Sequence, residues 1–409
     1  MWEYELSLSA PEIDRLLAHT WELGPTRFDY YFFDENCSYH LLSLLDAARP
    51  ELQLSNRFTW WAIPLDTVKA VTDTPGLLKA VHYRPSNSTA LRHRADLLGT
   101  QGTALAKQVS DGQIAPDALE PLEAEPTRRA LILETAERLT AFEATRQAST
   151  EAETQGRRMR LLAARAALPA GVEPTVPTPS TDPSQGHDTA RIDVMAGRRN
   201  GQAIVQLQAR PAYHDLLDPE AGYQRGAAIQ FFNVMLSHEE GKHVQLERFV
   251  PVDIASLAPR TPLMASKSWR VHIGLERADQ PRSDGKRPLG GNLSGGPGMA
   301  WELADAQTLM AYVFMDNQAR WDRSYTRQPW AFGSGLAAGL IADLAPRWRV
   351  QAEAFARAYI DHQPWEKGLS VQTRFSLTRQ WNLYGRCASS QRRGQRVTQE
   401  CTAGVQSYW

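Results

Sequence analysis

The chain has 409 residues, 45 of them basic and 46 acidic, for a net charge of −1 at pH 7. That length exceeds one ordinary domain and implies about two. The balanced charge argues against a nucleic-acid-binding surface or an acidic tail, and no apolar run approaches the roughly 18 residues of a membrane-spanning helix.

The opening "MWEYELSLSAPE" lacks the basic and apolar regions of a signal peptide. It enters directly into strand-like alternation, so an N-terminal segment is expected to precede it. "SAPEIDRLLAHTWEL" predicts a helix, with Ser9 as N-cap and apolar Ile13, Leu16, Leu17 and Trp21. Phe28, Tyr30, Tyr31, Phe32 and Phe33 then read as an aromatic strand of the kind that packs into a core. Asp34, Glu35 and Asn36 break that run, and Asp34 and Asn36 are both good helix caps. From Cys37 onward, Leu41, Leu44, Leu45 and Ala48 mark one face of a helix that Arg49 and Pro50 close. Cys37 therefore lies in a first helical turn, where free N–H groups and the positive dipole end favour a thiolate. A small buried apolar side chain is the plainer alternative.

"TWWAIPLDTVKAV" leads into another short helix, and "RALILETAERLTAFEATRQ" and "EAETQGRRMRLLAARAAL" form an expected antiparallel helical pair over residues 101–168. Residues 169–189, "PAGVEPTVPTPSTDPSQGHDT", hold five prolines without periodicity and read as a semi-rigid linker. Beyond it the period becomes two. In "LSVQTRFSLT", Leu369, Val371, Phe375 and Leu377 alternate with Gln372 and Arg374. "WRVQAEAFARAYI" and "WRVHIGLE" alternate in the same way, and the chain ends on "VQSYW". A soluble sandwich would bury the apolar faces. A membrane barrel would turn them to lipid, with aromatic girdles, in roughly ten to twelve strands over residues 190–409. The terminal aromatic and loops such as "ERADQPRSDGKRPLGGNLSGGPG" favour the barrel.

Three cysteines are present. Cys387 and Cys401 are each seven residues from Gly394, so a turn there would oppose them across a hairpin; two unrelated thiols are the alternative. If the bridge forms, the compartment is oxidising and Cys37 is the odd thiol.

The stretch "RFDYYFFDENCSYHLLSLLDAARPELQL" resembles the N-terminal periplasmic domain of the Lnb lipoprotein N-acyltransferase family, most specifically at "ENCSYHLL". More distantly it resembles the helix start of permuted papain-like enzymes. The resemblance covers about residues 1–100. It implies a partial α+β papain-like domain with Cys37 as nucleophile and Asn36 beside it, and an antiparallel barrel-like extension in the outer membrane. It implies membrane lipid or lipoprotein acyl groups as partners. The family's upstream Gly-His segment has no counterpart before Cys37; His19, the earlier histidine, sits in a helix without that motif.

His40 shares a helical face with Cys37 and is a second catalytic candidate, though a merely local contact is the plainer role. His82 reads as a surface residue, and His238 and His243 flank a turn. No cluster has zinc spacing, and no metal or cofactor is expected. "GGNLSGGPG" is glycine-rich but is expected to precede a strand rather than to cradle phosphate. The expected whole is a cell-envelope Cys-dependent acyltransferase or hydrolase anchored by a 10–12-stranded transmembrane barrel. The alternative is a structural or transport barrel whose periplasmic domain has lost its chemistry.

Overall fold

The computed structural model describes residues 1–145, 151–170, 173–278, 287–303, 308–321, 329–360 and 365–409. The N-terminal region mixes helices and strands. β1 (Trp2–Leu6) pairs with β2 (Leu78–Tyr83), and between them lie α1 (Ala10–Leu23), α2 (Cys37–Ala48) and α3 (Pro64–Thr72). Two of these helices carry the caps expected of them. Glu12 closes a capping box on Ser9 in α1, and Asn36 caps α2.

The aromatic run departs from expectation. Phe28–Phe33 is not a strand, and Phe28, Tyr30, Tyr31 and Phe32 are 54–61% exposed. Its backbone serves another partner: Phe33 accepts from the Ala62 N–H at 2.8 Å, so the segment is held as a loop against the chain before α3. The buried stripe of α2 keeps the expected Leu45 and Ala48 but takes Leu42 in place of Leu41. Leu42 and Leu45 are buried against Leu54 and Leu77, Ala48 is buried as well, and Leu41 is 57% exposed. Three-residue spacing satisfies the helix equally well in either phase, and tertiary contact with Leu54 and Leu77 selects this one.

A compact unit comprises Met1–Glu3, His82–Pro179 and Arg260–Ser266. It contains α4 (Asn87–Ser110), kinked at Gly99, then α5 (Pro126–Ala144) and α6 (Glu151–Ala166). Leu98, Leu105, Ile132, Leu133, Ala136 and Leu161 form its core. The helical region thus opens with α4, whose Thr- and Gly-containing sequence weakens the propensity signal that marks α5 and α6.

Residues 191–408 form the barrel. Its strands are β3 (Arg191–Arg199), β4 (Gln202–Arg210) with its continuation β5 (Ala212–His214), β6 (Ala227–Glu239), β7 (Gln245–Ser256), β8 (Ser268–Arg277) and β9 (Leu289–Glu302). They continue with β10 (Leu309–Met315), which runs on past Asp316 as β11 (Asn317–Trp321), then β12 (Trp330–Ala345), β13 (Trp348–Tyr359), β14 (Glu366–Ser376), β15 (Trp381–Arg392) and β16 (Thr398–Tyr408). With β4–β5 and β10–β11 each one interrupted strand, neighbouring pairs run antiparallel around a closed circuit of 12 strands. β16 pairs with β3, and β12 with both β10 and β13, so no edge is left open. Both chain ends of the barrel meet at one rim, where Trp409 N–H donates to Ala190 C=O at 3.0 Å.

"GGNLSGGPG" lies inside β9 rather than before a strand. Its glycines answer crowding: a Cβ on Gly298 would run into the Phe314 ring of β10. The charged loop ahead of it, residues 279–286, lies outside the described residues.

Candidate functional site

The two faces of the barrel decide what surrounds it. On β14 and the residue that follows it, Leu369, Val371, Phe375 and Leu377 are 40–53% exposed and point outward, while Arg374 is 2% exposed and points in. On β8, Trp269, Ile273 and Leu275 point outward, and Arg270, His272 and Glu276 do not. An isolated sandwich would reverse these faces, so the apolar face here meets lipid. Two belts of exposed aromatics bound it. Trp269, Trp348, Trp381 and Trp409 ring the rim that carries the chain ends, and Trp321, Trp330, Phe332 and Trp365 ring the other. Belts of this kind mark the two lipid–water interfaces. Among the described residues no helix is long and apolar enough to cross a membrane; this chain crosses with strands.

The lumen is filled by ion pairs at three levels. Near the terminal rim, Arg374 meets Asp218 at 2.7 Å, and Arg191 and Arg210 reach Asp215 and Asp218 at 2.5–3.1 Å. Midway, Asp316 bridges Arg270 and Arg357 at 2.8 and 2.7 Å. At the far rim, Arg199 gathers Glu239, Glu247 and Glu400. Buried charges persist only when paired in this way.

One group there has the donors for a metal. His187, His214 and Asp218 are buried and bring one ligand atom each within 4.8 Å of one another. Several of these atoms already carry hydrogen bonds or ion pairs. His187 Nε2 lies 3.0 Å from His214 Nδ1, and Asp218 is shared by three arginines and Tyr408. Burial also pushes His187 down to about 3, so the ring stays neutral. Among the described residues the three side chains belong to a buried polar network with Arg191, Arg210, Arg374 and Tyr408.

The predicted thiol site is built at the start of α2. Asn36, 3% exposed, accepts from the Ser38 and Tyr39 N–H groups at 3.1 and 3.2 Å. Its Nδ2 donates to Ala62 C=O at 2.6 Å and to Phe32 C=O at 3.2 Å. One side chain thus caps the helix and ties two loops together. Cys37, the next residue, is free and exposed. The His40 N–H is taken by Asn36 C=O at 3.1 Å. The cap therefore leaves the Cys37 N–H as the first-turn amide able to face a ligand.

His40 follows one turn later. Its ring lies 5.0 Å from Phe28, and its Nε2 has no hydrogen-bond partner. The structure thus brings Asn36, Cys37 and His40 onto one helical turn, without a hydrogen bond between the thiol and the imidazole among the described residues. His19 interacts instead with Glu22 of its own helix at 3.5 Å.

Contacts with no local signature hold this region at the terminal rim. Lys69 donates to Gly186 C=O, His187 C=O and Asp188 at 2.5–2.9 Å. Asp66 accepts from the Thr189 hydroxyl at 2.6 Å, and Tyr4 donates to Asp182 at 2.9 Å. The last residues of the expected linker are therefore clamped rather than loose; His187 and Thr189 are each 1% exposed. Phe33 completes the seat against Phe231 and Phe232 of β6, with ring centroids 5.1 and 4.9 Å away.

Three family descriptions match the chain in succession. Residues 1–74 match the Lnb N-terminal periplasmic domain, residues 81–177 match the domain of unknown function DUF7842, and residues 180–408 match the domain of unknown function DUF7840. The chain matches no curated protein sequence. Among solved structures it is similar to the KdgM porin in complex with disordered oligogalacturonate, at 11% identity over 54% of this chain and 99% of that one, with a TM-score of 0.32. It is similar to the NanC porin at 11% identity over 53% and 99%, TM-score 0.34. It is also similar to Omp33 of Acinetobacter baumannii at 9% identity over 55% and 99%, TM-score 0.28.

Proposed function

We propose, for a chain that belongs to the DUF7840 family through residues 180–408 and carries an Lnb N-terminal periplasmic domain over residues 1–74, that Cys37 is the nucleophile of an acyl-transfer site anchored by an outer-membrane barrel. The barrel spans the outer membrane, with the N-terminal domain on its periplasmic side. The observation that carries the thiol reading is the placement of Cys37. It is free, exposed and first in its helix, beside a cap that leaves its own amide unused.

In this reading the thiolate attacks an ester carbonyl of a lipid or lipoprotein. The C–S bond forms, the C–O bond breaks and the released alcohol takes up a proton. The Cys37 N–H stabilises the oxyanion at the helix start. An amine or water then attacks the thioester, giving an amide or acid and returning the thiol. His40, with its unpartnered Nε2, is the candidate to accept the thiol proton.

A second reading, a structural or transport barrel with a periplasmic domain that has lost its chemistry, draws support from the lack, among the described residues, of a hydrogen bond between Cys37 and a histidine. The ion-paired lumen favours the structural form of that reading over transport.

One experiment separates them. Full-length protein in outer-membrane vesicles is supplied with phosphatidylethanolamine carrying an alkyne-tagged acyl chain. Acyl transfer predicts a tag on Cys37 that neutral hydroxylamine releases and that Cys37→Ala abolishes. Absence of the tag, with the barrel folded by gel shift, leaves the second reading standing.

A further inference from the structure

Large apolar side chains stand exposed on the stretches that adjoin the Cys37 turn, and the chemistry proposed above does not use them. Phe28, Tyr30, Tyr31 and Phe32 are 54–61% exposed, Trp60 is 83% exposed and Leu41 57%. Isolated exposed apolar residues are ordinary, but contiguous groups of large ones mark a contact. These side chains come from three stretches that the structure fastens together. Ala62 N–H donates to Phe33 C=O, and Asn36 Nδ2 donates to Phe32 C=O and Ala62 C=O. The loop before α2, the loop before α3 and the first turn of α2 are thus held against one another.

These stretches run on into a membrane-facing surface. Phe33 packs on Phe231 and Phe232, and Phe232, 39% exposed, heads the outward row of β6 that continues through Val234 to Leu236. The sheet register gives its side of the strand: Tyr408 pairs with Arg191, Arg191 with Arg210, and Ala209 with Val234, so Phe232 lies two residues beyond Val234 toward the rim that carries the chain ends. The composition is that of an interfacial anchor: Trp, Tyr and Phe, whose rings are apolar and whose polar atoms tolerate head groups. Acidic side chains are close by, Asp29, Asp34 and Glu35, so charge attraction to anionic lipid is not the drive; apolar burial is.

We infer that the aromatic loops around Cys37 are seated in the periplasmic leaflet of the same bilayer that the barrel spans, placing the thiol at head-group depth. The inference rests on the barrel's position in the membrane and not on Cys37 acting as a nucleophile, so either can fail without the other.

The test uses full-length protein carrying Cys37→Ala, in which Cys387 and Cys401 remain bridged. Trp60→Cys and, separately, Tyr31→Cys are spin-labelled and reconstituted in vesicles of phosphatidylethanolamine and phosphatidylglycerol. A third label replaces exposed Glu51, outside the patch. Collision with oxygen and with a water-soluble nickel chelate is measured by power saturation. Membrane seating predicts a ratio of oxygen to nickel accessibility several-fold higher at residues 31 and 60 than at 51, falling to the residue 51 value on transfer to detergent-free amphipol. Equal ratios at all three sites in vesicles would overturn the inference. So would labels at 31 and 60 shielded from both reagents, since protein and not lipid would then cover the patch. Each variant is first shown to be folded by its heat-dependent gel shift, and the two patch positions report independently.

Discussion

Cys387 and Cys401 stand directly opposite each other on β15 and β16, with Cα atoms 4.1 Å apart and a disulfide between them, and both are exposed on the outer face of the barrel. Their neighbours on that face, Leu383 and Val405, are 45% and 38% exposed and belong to the lipid-facing set. Exchange at a disulfide requires a thiolate or phosphine to reach sulfur, and lipid excludes charged reagents. A charged phosphine added to intact vesicles should therefore leave the bridge oxidised, while the same reagent acts after boiling in SDS. Mass mapping of the alkylated peptides reads the outcome. Rapid reduction in intact vesicles would place this pair in water and move the lipid boundary away from it.

Adjacent residues on β14 offer a test of the face assignment. Val371 is 40% exposed on the outer face at mid-strand, whereas Gln372 accepts a hydrogen bond from the Tyr384 hydroxyl at 2.7 Å on the inner side. Arginine at the lipid-facing midplane costs roughly 2–4 kcal/mol. Val371→Arg should lower the free energy of unfolding from vesicles, obtained from urea titrations, by that amount. Gln372→Arg, entering a polar lumen, should cost less than about 1 kcal/mol. Equal costs would mean that the faces are not lipid and lumen.

Much of this barrel was legible in the sequence because alternation is a local property. Leu369, Val371, Phe375 and Leu377 announced one face and Arg374 the other, and the symmetry of Cys387 and Cys401 about Gly394 fixed a register that the structure keeps. What could not be read locally was the use of each face. Alternation alone fits a sandwich or a barrel; the ion-paired interior and the two Trp belts decide between them, and both are assembled from distant strands. The same limit explains the aromatic run. Phe28–Phe33 has the composition of a strand, but the Phe33 carbonyl is taken by Ala62, 29 positions away. The cap at Asn36 and the placement of Cys37 were readable; the Nδ2 bridge to Ala62 and the Lys69 clamp on residues 186–188 have no sequence signature.

Asp66 gives the N-terminal domain a pH dependence of definite sign. Burial pushes its carboxyl up from 3.8 to about 6, outweighing the hydrogen bond from Thr189 and the charge of Lys69. Because the folded value lies above the unfolded one, folding favours the protonated form. That contribution is complete below about pH 4 and is lost as pH rises through 6. Asp66→Asn keeps an acceptor for Thr189 and removes the ionisation. It should leave the protection of α3 amides against hydrogen exchange unchanged at pH 4 and raise it at pH 7.5, by at most about 3 kcal/mol. Equal protection in the two proteins at pH 7.5 would show that this carboxylate is ionised at no cost.

Asn36 separates a simple helix cap from a cap that also ties loops. As a cap alone, Asn, Asp and Ser are nearly equivalent, and alanine costs about 1 kcal/mol. Here, however, the side-chain amide also donates to Ala62 C=O at 2.6 Å and Phe32 C=O at 3.2 Å inside a buried site. Asn36→Ser keeps an acceptor for the first turn and loses that tie. Asn36→Asp keeps the acceptor and improves the charge at the helix start, but it sets a carboxylate against two carbonyl oxygens. Removing a buried donor leaves its acceptors unpartnered at about 1–3 kcal/mol. The expected order of α2 stability at pH 7.5, read by hydrogen exchange of residues 37–48 in the full-length protein, is Asn36, then Ser, with Ala and Asp lowest. The Asp variant should recover toward the Ser level as the pH falls and its carboxyl takes up a proton. An aspartate that matches asparagine at neutral pH would mean that the bridge to Ala62 contributes nothing and that Asn36 acts on the helix end alone.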